Sequence, residues 1–276
     1  MKYYAMSTNC FILKTYAKIN LTLDILGTRE DGFHLIKSIV VFINIFDTIL
    51  VEIGKDGPIT FYPKEIKHSN VHKLKHLIDI PFSALIYKNI PISRGLGGSS
   101  SNVGGLLGLF THLGIIEKKQ ALNIAQKLGA DVTMYLHNAP LIMEGIGEII
   151  TPKPSLPVPK TLYVIVPDFK AETPMIYRAW DEKPIYTNYT TMYIDSQIMG
   201  NALKEPFERV FNIYLPSGIY LTGSGSAMFT LSPPSKIINT WNVLEVNTRI
   251  TGWEMIACED KHQNIHSGGQ RRGRVV

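Results

Sequence analysis

Cysteine is nearly absent from this 276-residue chain: Cys10 and Cys258 stand at opposite ends, with no spacing suited to a metal knuckle or a redox pair. That pattern excludes a disulfide scaffold and fits a reducing compartment, with both cysteines expected as small core residues. Long apolar runs are missing too. The longest, SIVVFINIF at residues 38–46, is interrupted by Asn44 and suits one buried strand, whereas a membrane-spanning helix needs about 18 apolar residues. The opening MKYYAMSTNC has neither an h-region nor a processing site, so no signal peptide, no membrane partner and a cytoplasmic location are expected. Nor is there a large excess of one charge. The formal net charge is +5, and setting aside Arg271, Arg272 and Arg274 of the closing SGGQRRGRVV leaves only +2. That Gly-rich tail, residues 267–276, is expected to be disordered. A mildly basic remainder suits small anions at least as well as a polymer, and no basic and aromatic stripe recurs elsewhere, so no nucleic-acid partner is expected.

With 45% hydrophobic and 18% charged residues, the chain has the make-up of an ordinary globule long enough for two domains. From Phe11 to Leu26 the pattern has period two: Ile19, Leu21, Leu23 and Ile25 face one way, and Lys18, Asn20, Thr22 and Asp24 the other. The stretch GTREDGFHL reads as a turn at Asp31-Gly32, followed by strands at 36–46, 48–53 and 82–88 and a short helix at 70–79. Residues 102–113 read as a helix despite Gly104, Gly105 and Gly108, which calls for a close approach to a sheet or a ligand. A helix over 118–128 ends at Gly129, and Asp131 is placed to cap the next one. Four prolines in TPKPSLPVPKT mark a boundary between an N-terminal domain, 1–152, and a C-terminal one, 160–266. Beyond it come a strand LYVIVP, a helix near 196–213, a strand at 218–222, the turn TGSGSAM and a strand at 228–231. A helix starting near Pro234 and a final strand WEMIAC would then complete a βαβ-like unit.

The segment with the clearest chemistry is NIPISRGLGGSSSNVGG, residues 89–105. A Gly/Ser run ahead of a helix lets backbone N–H groups converge on an oxyanion at the positive end of that helix. By itself such a run also serves as a plain turn or linker. It lacks the G-K-[ST] ending of a Walker A loop and the third glycine of a dinucleotide fingerprint, so any cation has to come from elsewhere.

PISRGLGGSSSN, with TYAKINLTLDILGTREDGFHLIKS before it and GADVTMYL and YLTGSGSAMF after it, has the order and spacing of the GHMP kinases. Within them the chain resembles the 4-diphosphocytidyl-2-C-methyl-D-erythritol kinases of the non-mevalonate isoprenoid pathway, over most of residues 14–258. The resemblance implies an α+β two-domain GHMP kinase fold, with an N-terminal domain like the second domain of ribosomal protein S5 and a ferredoxin-like C-terminal domain. It implies ATP and Mg2+ as cofactors, and a small cytidine diphosphate-linked methylerythritol as the partner phosphorylated at its 2-hydroxyl. By the same resemblance Pro91, Gly95, Leu96, Gly97, Gly98, Ser99, Ser100, Ser101 and Asn102 bind the nucleotide, with Lys88 and Asn70 on the same side. Asp131 matches the family's catalytic aspartate and Lys18 the lysine that replaces the missing loop cation. Asn20 stands beside Lys18 on the substrate side, Phe33 and His34 of DGFHL match the cytidine-binding element, Tyr177 matches an aromatic that packs on cytosine, and Gly223, Ser224 and Gly225 match the turn that approaches the substrate diphosphate. No dedicated metal ligand is implied; ATP oxygens and a loop serine are expected to hold Mg2+.

The chain departs from the family pattern at several positions. Arg94 stands where a small residue is usual, Ser99 replaces a glycine, Thr133 replaces a proline, and Ala202 and Lys204 stand where acids are common. These changes keep two rival readings open: a weak or inert nucleotide-binding relative, and a GHMP kinase for another small alcohol. Retention of both Lys18 and Asp131 argues against the first, and Phe33 and His34 argue against the second.

Overall fold

The computed structural model describes residues 9–234 and 241–257. Most of the helix expected after Pro234, together with Cys258 and the basic tail, lies outside the described residues. Cys10, expected in the core, is only half-buried, at the start of the first strand.

The polar and apolar alternation after Phe11 builds β1 (Cys10–Asn20) and β2 (Thr22–Thr28), which are separated by a bend at Leu21. Both pair antiparallel with β3 (His34–Ile53), a 20-residue strand that replaces the two shorter strands expected there. Asp47 does not break it, because its buried carboxylate is fully engaged, as described below. β4 (Ile59–Tyr62), which the sequence reading lacked, pairs parallel with β5 (Phe82–Tyr87) on the other side of α1 (Asn70–Leu77).

α2 (Gly98–His112) begins four residues earlier than expected, inside the Gly/Ser run, and is buried on nearly all sides. Its glycines are there for packing: a Cβ on Gly104, Gly105 or Gly108 would lie 2.4–2.5 Å from Tyr135, Thr15 and Trp253 respectively. The helix therefore sits flush on the sheet and on α4 (Ala130–Tyr135), which follows α3 (Lys118–Leu128) directly. This contact holds the N-terminus of α2 at the end of β1.

The hairpin β6 (Leu141–Gly145) and β7 (Ile149–Pro152) pairs with β3. After the prolines come β8 (Thr161–Val166), α5 (Thr173–Glu182), α6 (Tyr189–Ser196), the two-residue β9 (Gly200–Asn201), α7 (Lys204–Phe211), β10 (Tyr220–Leu221) and β11 (Met228–Thr230). The long helix expected over 196–213 is thus cut to α7. Gly200 packs against the ring of Tyr189, and Asn201 donates to the carbonyls of Leu221 (2.9 Å) and Gly223 (2.8 Å), contacts that only an extended segment reaches.

An unforeseen strand, β12 (Asn242–Arg249), pairs with β8 and, through Thr248 and Arg249, with β3, making one continuous sheet in the order β10-β11-β8-β12-β3-β1-β13. The last strand, β13 (Trp253–Ala257), pairs with β1, so it completes no βαβ unit with its predecessors.

Candidate active site

The chain leaves β5 at Lys88 and reaches α2 through a loop with Ser93, Gly95 and Gly97 at positive φ (56°, 77° and 74°). Gly97 caps α2 in the left-handed region, which costs a glycine little. A Cβ there would also stand 2.9 Å from Cγ of Lys18 and 3.2 Å from the Tyr135 hydroxyl. Gly97→Ala is therefore expected to displace Lys18 and the loop together, lowering ATP affinity and kcat each by about tenfold or more; isothermal calorimetry and ADP release measure the two.

Lys18 leaves β1 beside this loop, its own N–H donating to the Leu96 carbonyl at 3.0 Å. The polar face of β1 and β2 is an internal seam, with Lys18, Asn20, Thr22 and Asp24 all buried and partnered. Lys18 Nζ donates to Asn20 Oδ1 at 2.5 Å and lies 3.5 Å from Asp131 Oδ2. The Asn20 amide is aimed at Lys18 because its Nδ2 donates to Ser38 Oγ (2.7 Å), which donates in turn to the Thr22 carbonyl (2.5 Å). The Lys18 side chain is 6% exposed and that of Asp131 32%, so the carboxylate is the reachable member of the pair. Asp131 lies in the first turn of α4 and is not its cap: Gly129 takes that position and no side chain bonds there. Thr133 continues the helix, with its buried hydroxyl unpartnered among the described residues.

Lys88 is committed differently. Its ammonium bonds the buried Asp47 carboxylate and, at 3.1 Å, Asn102 Oδ1. Asp47 also accepts from the N–H groups of Asn89 (2.7 Å) and Ile90 (2.9 Å) and from Asn102 Nδ2 (2.9 Å). Lys88 and Asn102 thus brace the loop from beneath. So do Leu96, whose side chain is in the core, and Ser101, which donates to the Gly98 carbonyl at 3.0 Å. Ser99 and Ser100 line a chamber of ≈ 350 Å³ over this helix start, together with Pro91, Arg94 and Asn70. The Arg94 guanidinium turns toward the segment after β8, where it donates to the Asp168 carbonyl at 3.0 Å.

The turn after β10 closes on the loop from the other side. A Cβ on Gly95 would lie 2.8 Å from the Gly225 carbonyl oxygen, and one on Gly223 would lie 3.3 Å from Lys18 Nζ. Ser224 Oγ and Thr173 Oγ1, 2.8 Å apart, link the turn to the start of α5. Lys18, Asn20, Asp131, Tyr177, Gly223 and Ser224 surround a second chamber of ≈ 280 Å³. Burial pushes the Tyr177 phenol well above its usual value, helped by the Asp131 charge, so it keeps its hydrogen.

A third cleft of ≈ 520 Å³ holds Phe33, which is 56% exposed, and His34. His34 packs against Tyr177 (centroids 4.6 Å apart) and bonds Asp181 through Nε2 at 2.7 Å. The first and second chambers share Gly95 and Gly97, and the second and third share Ile36, Asp131, Thr173 and Tyr177. Lys18 and Asp131 therefore stand midway along one connected groove.

The chain matches the GHMP kinases N terminal domain over residues 65–139. A 4-diphosphocytidyl-2-C-methyl-D-erythritol kinase of Fervidobacterium nodosum is 32% identical over 267 residues, covering 86% of this chain and 96% of its own. The chain belongs to the 4-diphosphocytidyl-2-C-methyl-D-erythritol kinase family. A member from a Sulfurihydrogenibium species is 30% identical, covering 91% of this chain and 99% of its own. The fold agrees with a crystal structure of 4-(cytidine 5'-diphospho)-2C-methyl-D-erythritol kinase (TM-score 0.72, 23% identity, 86% of this chain and 98% of that one). It also agrees with homoserine kinase of Cytophaga hutchinsonii (TM-score 0.60, 16% identity, 93% and 100%), so the α+β GHMP kinase fold is the one present. Among the described residues no cluster of His, Cys, Asp or Glu is placed to hold a metal by itself, and no helix is long and apolar enough to cross a membrane.

Sequence reasoning did not single out several polar side chains at the groove. Asp181 and Thr173 line it, while Asp47 and Asn201 are buried beneath its loops. Their signal is spatial: Asp47 meets Lys88 and Asn102 from 41 and 55 residues away.

Proposed function

We propose that this kinase transfers the γ-phosphate of ATP to the 2-hydroxyl of 4-diphosphocytidyl-2-C-methyl-D-erythritol. The observation that carries the reading is the Lys18 and Asp131 pair at the middle of a groove whose two ends differ in chemistry. At one end a Gly/Ser loop and the N-terminus of α2 suit phosphates; at the other an aromatic and histidine cleft suits a base.

Phosphoryl transfer is positioning plus charge stabilisation, with a group to receive or orient the hydroxyl proton. Asp131, the more exposed partner of the pair, accepts that proton. Lys18, held by Asn20 and screened from water, offsets charge developing on the transferred phosphoryl group. The backbone N–H groups of Gly98, Ser99 and Ser100, free of intrahelical partners in the first turn, take the nucleotide phosphates. The turn at 223–225 lets the substrate diphosphate approach Lys18, and Phe33, His34 and Tyr177 hold the cytosine.

Mg2+ ordinarily keeps several waters and takes one or two protein oxygens besides phosphate. The Ser99 and Ser100 hydroxyls at the chamber wall fit that modest demand. The ion would neutralise charge on the β- and γ-phosphates.

Purified protein with Mg-ATP is expected to release ADP with the cytidine diphosphate-linked substrate, and at less than about one hundredth of that rate with mevalonate or homoserine, which offer no base to the outer cleft. Equal or faster release with either alcohol would reassign the substrate.

A further inference from the structure

His34 has two ring nitrogens, and the fold commits one of them. Nε2 lies 2.7 Å from Asp181 Oδ1, while no described residue bonds Nδ1. The ring is gripped by one face of α5: Tyr177 lies across it (4.6 Å, 38°), Trp180 meets it edge-on (5.4 Å, 89°), and Asp181 takes its tip. Tyr177, Trp180 and Asp181 are spaced to share one side of a helix, so the three contacts form a single rigid cradle.

A carboxylate has lone pairs but no hydrogen to offer, so Nε2 must carry the hydrogen of this bond. Turning the ring over about its Cβ bond would bring carbon to Asp181 and lose the contact. With ring orientation and hydrogen both fixed, Nδ1 of the neutral ring can only accept. Cytosine and uracil differ at C4, where the first carries an amino donor and the second a carbonyl acceptor. An acceptor facing that position bonds the first and repels the second.

We propose that Asp181 is a positioning residue that holds His34 with its hydrogen on Nε2, so that Nδ1 acts as the acceptor by which the outer cleft selects a cytosine base over uracil. This rests on the reading of that cleft as the base-binding end of the groove. Asp181 itself lies at the last turn of α5 with its side chain 48% exposed, so replacing it leaves the core intact.

The test compares wild type, Asp181→Ala and Asp181→Glu at mildly alkaline pH. Diphosphomethylerythritol linked to cytidine and to uridine is assayed both by calorimetric binding without ATP and by ADP release. The wild type is expected to prefer the cytidine form. In Asp181→Ala the cytidine-to-uridine ratio is expected to fall about tenfold with the KM for ATP unchanged, and Asp181→Glu, which keeps a carboxylate, is expected to retain most of the ratio. A purely structural loss would weaken both forms equally and leave the ratio as it was. An unchanged ratio in Asp181→Ala, or no preference in the wild type, overturns the inference. Cytidine-selective binding that depends on Asp181 but without ADP release would uphold it and remove the kinase reading; ADP release with an unchanged ratio would do the reverse.

Discussion

Asp131→Asn is expected to lower kcat by about 10³-fold while each KM changes by less than about threefold. The amide keeps the shape of the side chain and can accept a hydrogen bond from the substrate hydroxyl, but it cannot take the proton. Folding is not at stake, because Asp131 neither caps α4 nor lies in the core. Lys18 keeps its bond to Asn20 in the variant, so the lost activity reports the carboxylate alone. Lys18→Met removes the charge donor instead and is expected to cost about 10²- to 10³-fold in kcat. Steady-state ADP release with both substrates varied separates these effects. A raised KM with kcat preserved would make Asp131 a binding residue and not the base.

The largest stability effect is expected at a residue that touches no substrate. Asp47→Ala removes the acceptor shared by the Lys88 ammonium, two backbone N–H groups and the Asn102 amide, and leaves a nearly buried cation unpaired. Breaking a buried pair in this way costs about 3–5 kcal/mol, which for a chain of this size corresponds to a fall in Tm of roughly 10 °C. Because the same four contacts underlie the Gly/Ser loop that the proposed function assigns to ATP, the KM for ATP should rise at temperatures where the variant is still folded. Denaturant melts give the first number and saturation kinetics the second; a loss below about 1 kcal/mol would show that water replaces the carboxylate.

Much of the fold was legible where local pattern and tertiary demand agree. The helix over 118–128 has its boundaries where the apolar spacing and Gly129 put them. The period-two reading of residues 11–26 placed Lys18 and Asn20 side by side, as they are. It could not show that this polar face is an interior seam, because alternation distinguishes two faces without saying which one meets water. Asp47 looked like a gap between two strands for a related reason: a buried carboxylate is readable only when its distant donors are known. Between 196 and 213 the helical pattern of α7 was extended too far, since the contacts of Gly200 and Asn201 are made with residues distant in sequence. β12 escaped because all its residues but Val246 are half-exposed or exposed and show no clean alternation.

Motif residues fared in proportion to how local their task is. Gly95 and Gly97 sit at positive φ, which favours glycine, and Gly97 caps α2. Lys88 and Asn102 line the first chamber, yet their polar atoms are taken up by Asp47 and by each other. Arg94, the most conspicuous departure in the loop, ties that loop to Asp168 and so joins the Gly/Ser-loop end of the groove to the segment that leads into α5.

The central claim is that phosphate passes from ATP to the cytidine diphosphate-linked substrate at the Lys18 and Asp131 pair. Phosphorus NMR of the wild-type reaction, followed alongside that of Asp131→Asn, tests it most directly. The expected result is a new phosphomonoester resonance on the diphosphocytidyl compound, growing in step with ADP in the wild type and nearly absent in the variant. ADP accumulating with inorganic phosphate and no such resonance, or a resonance that grows equally in both proteins, would contradict it.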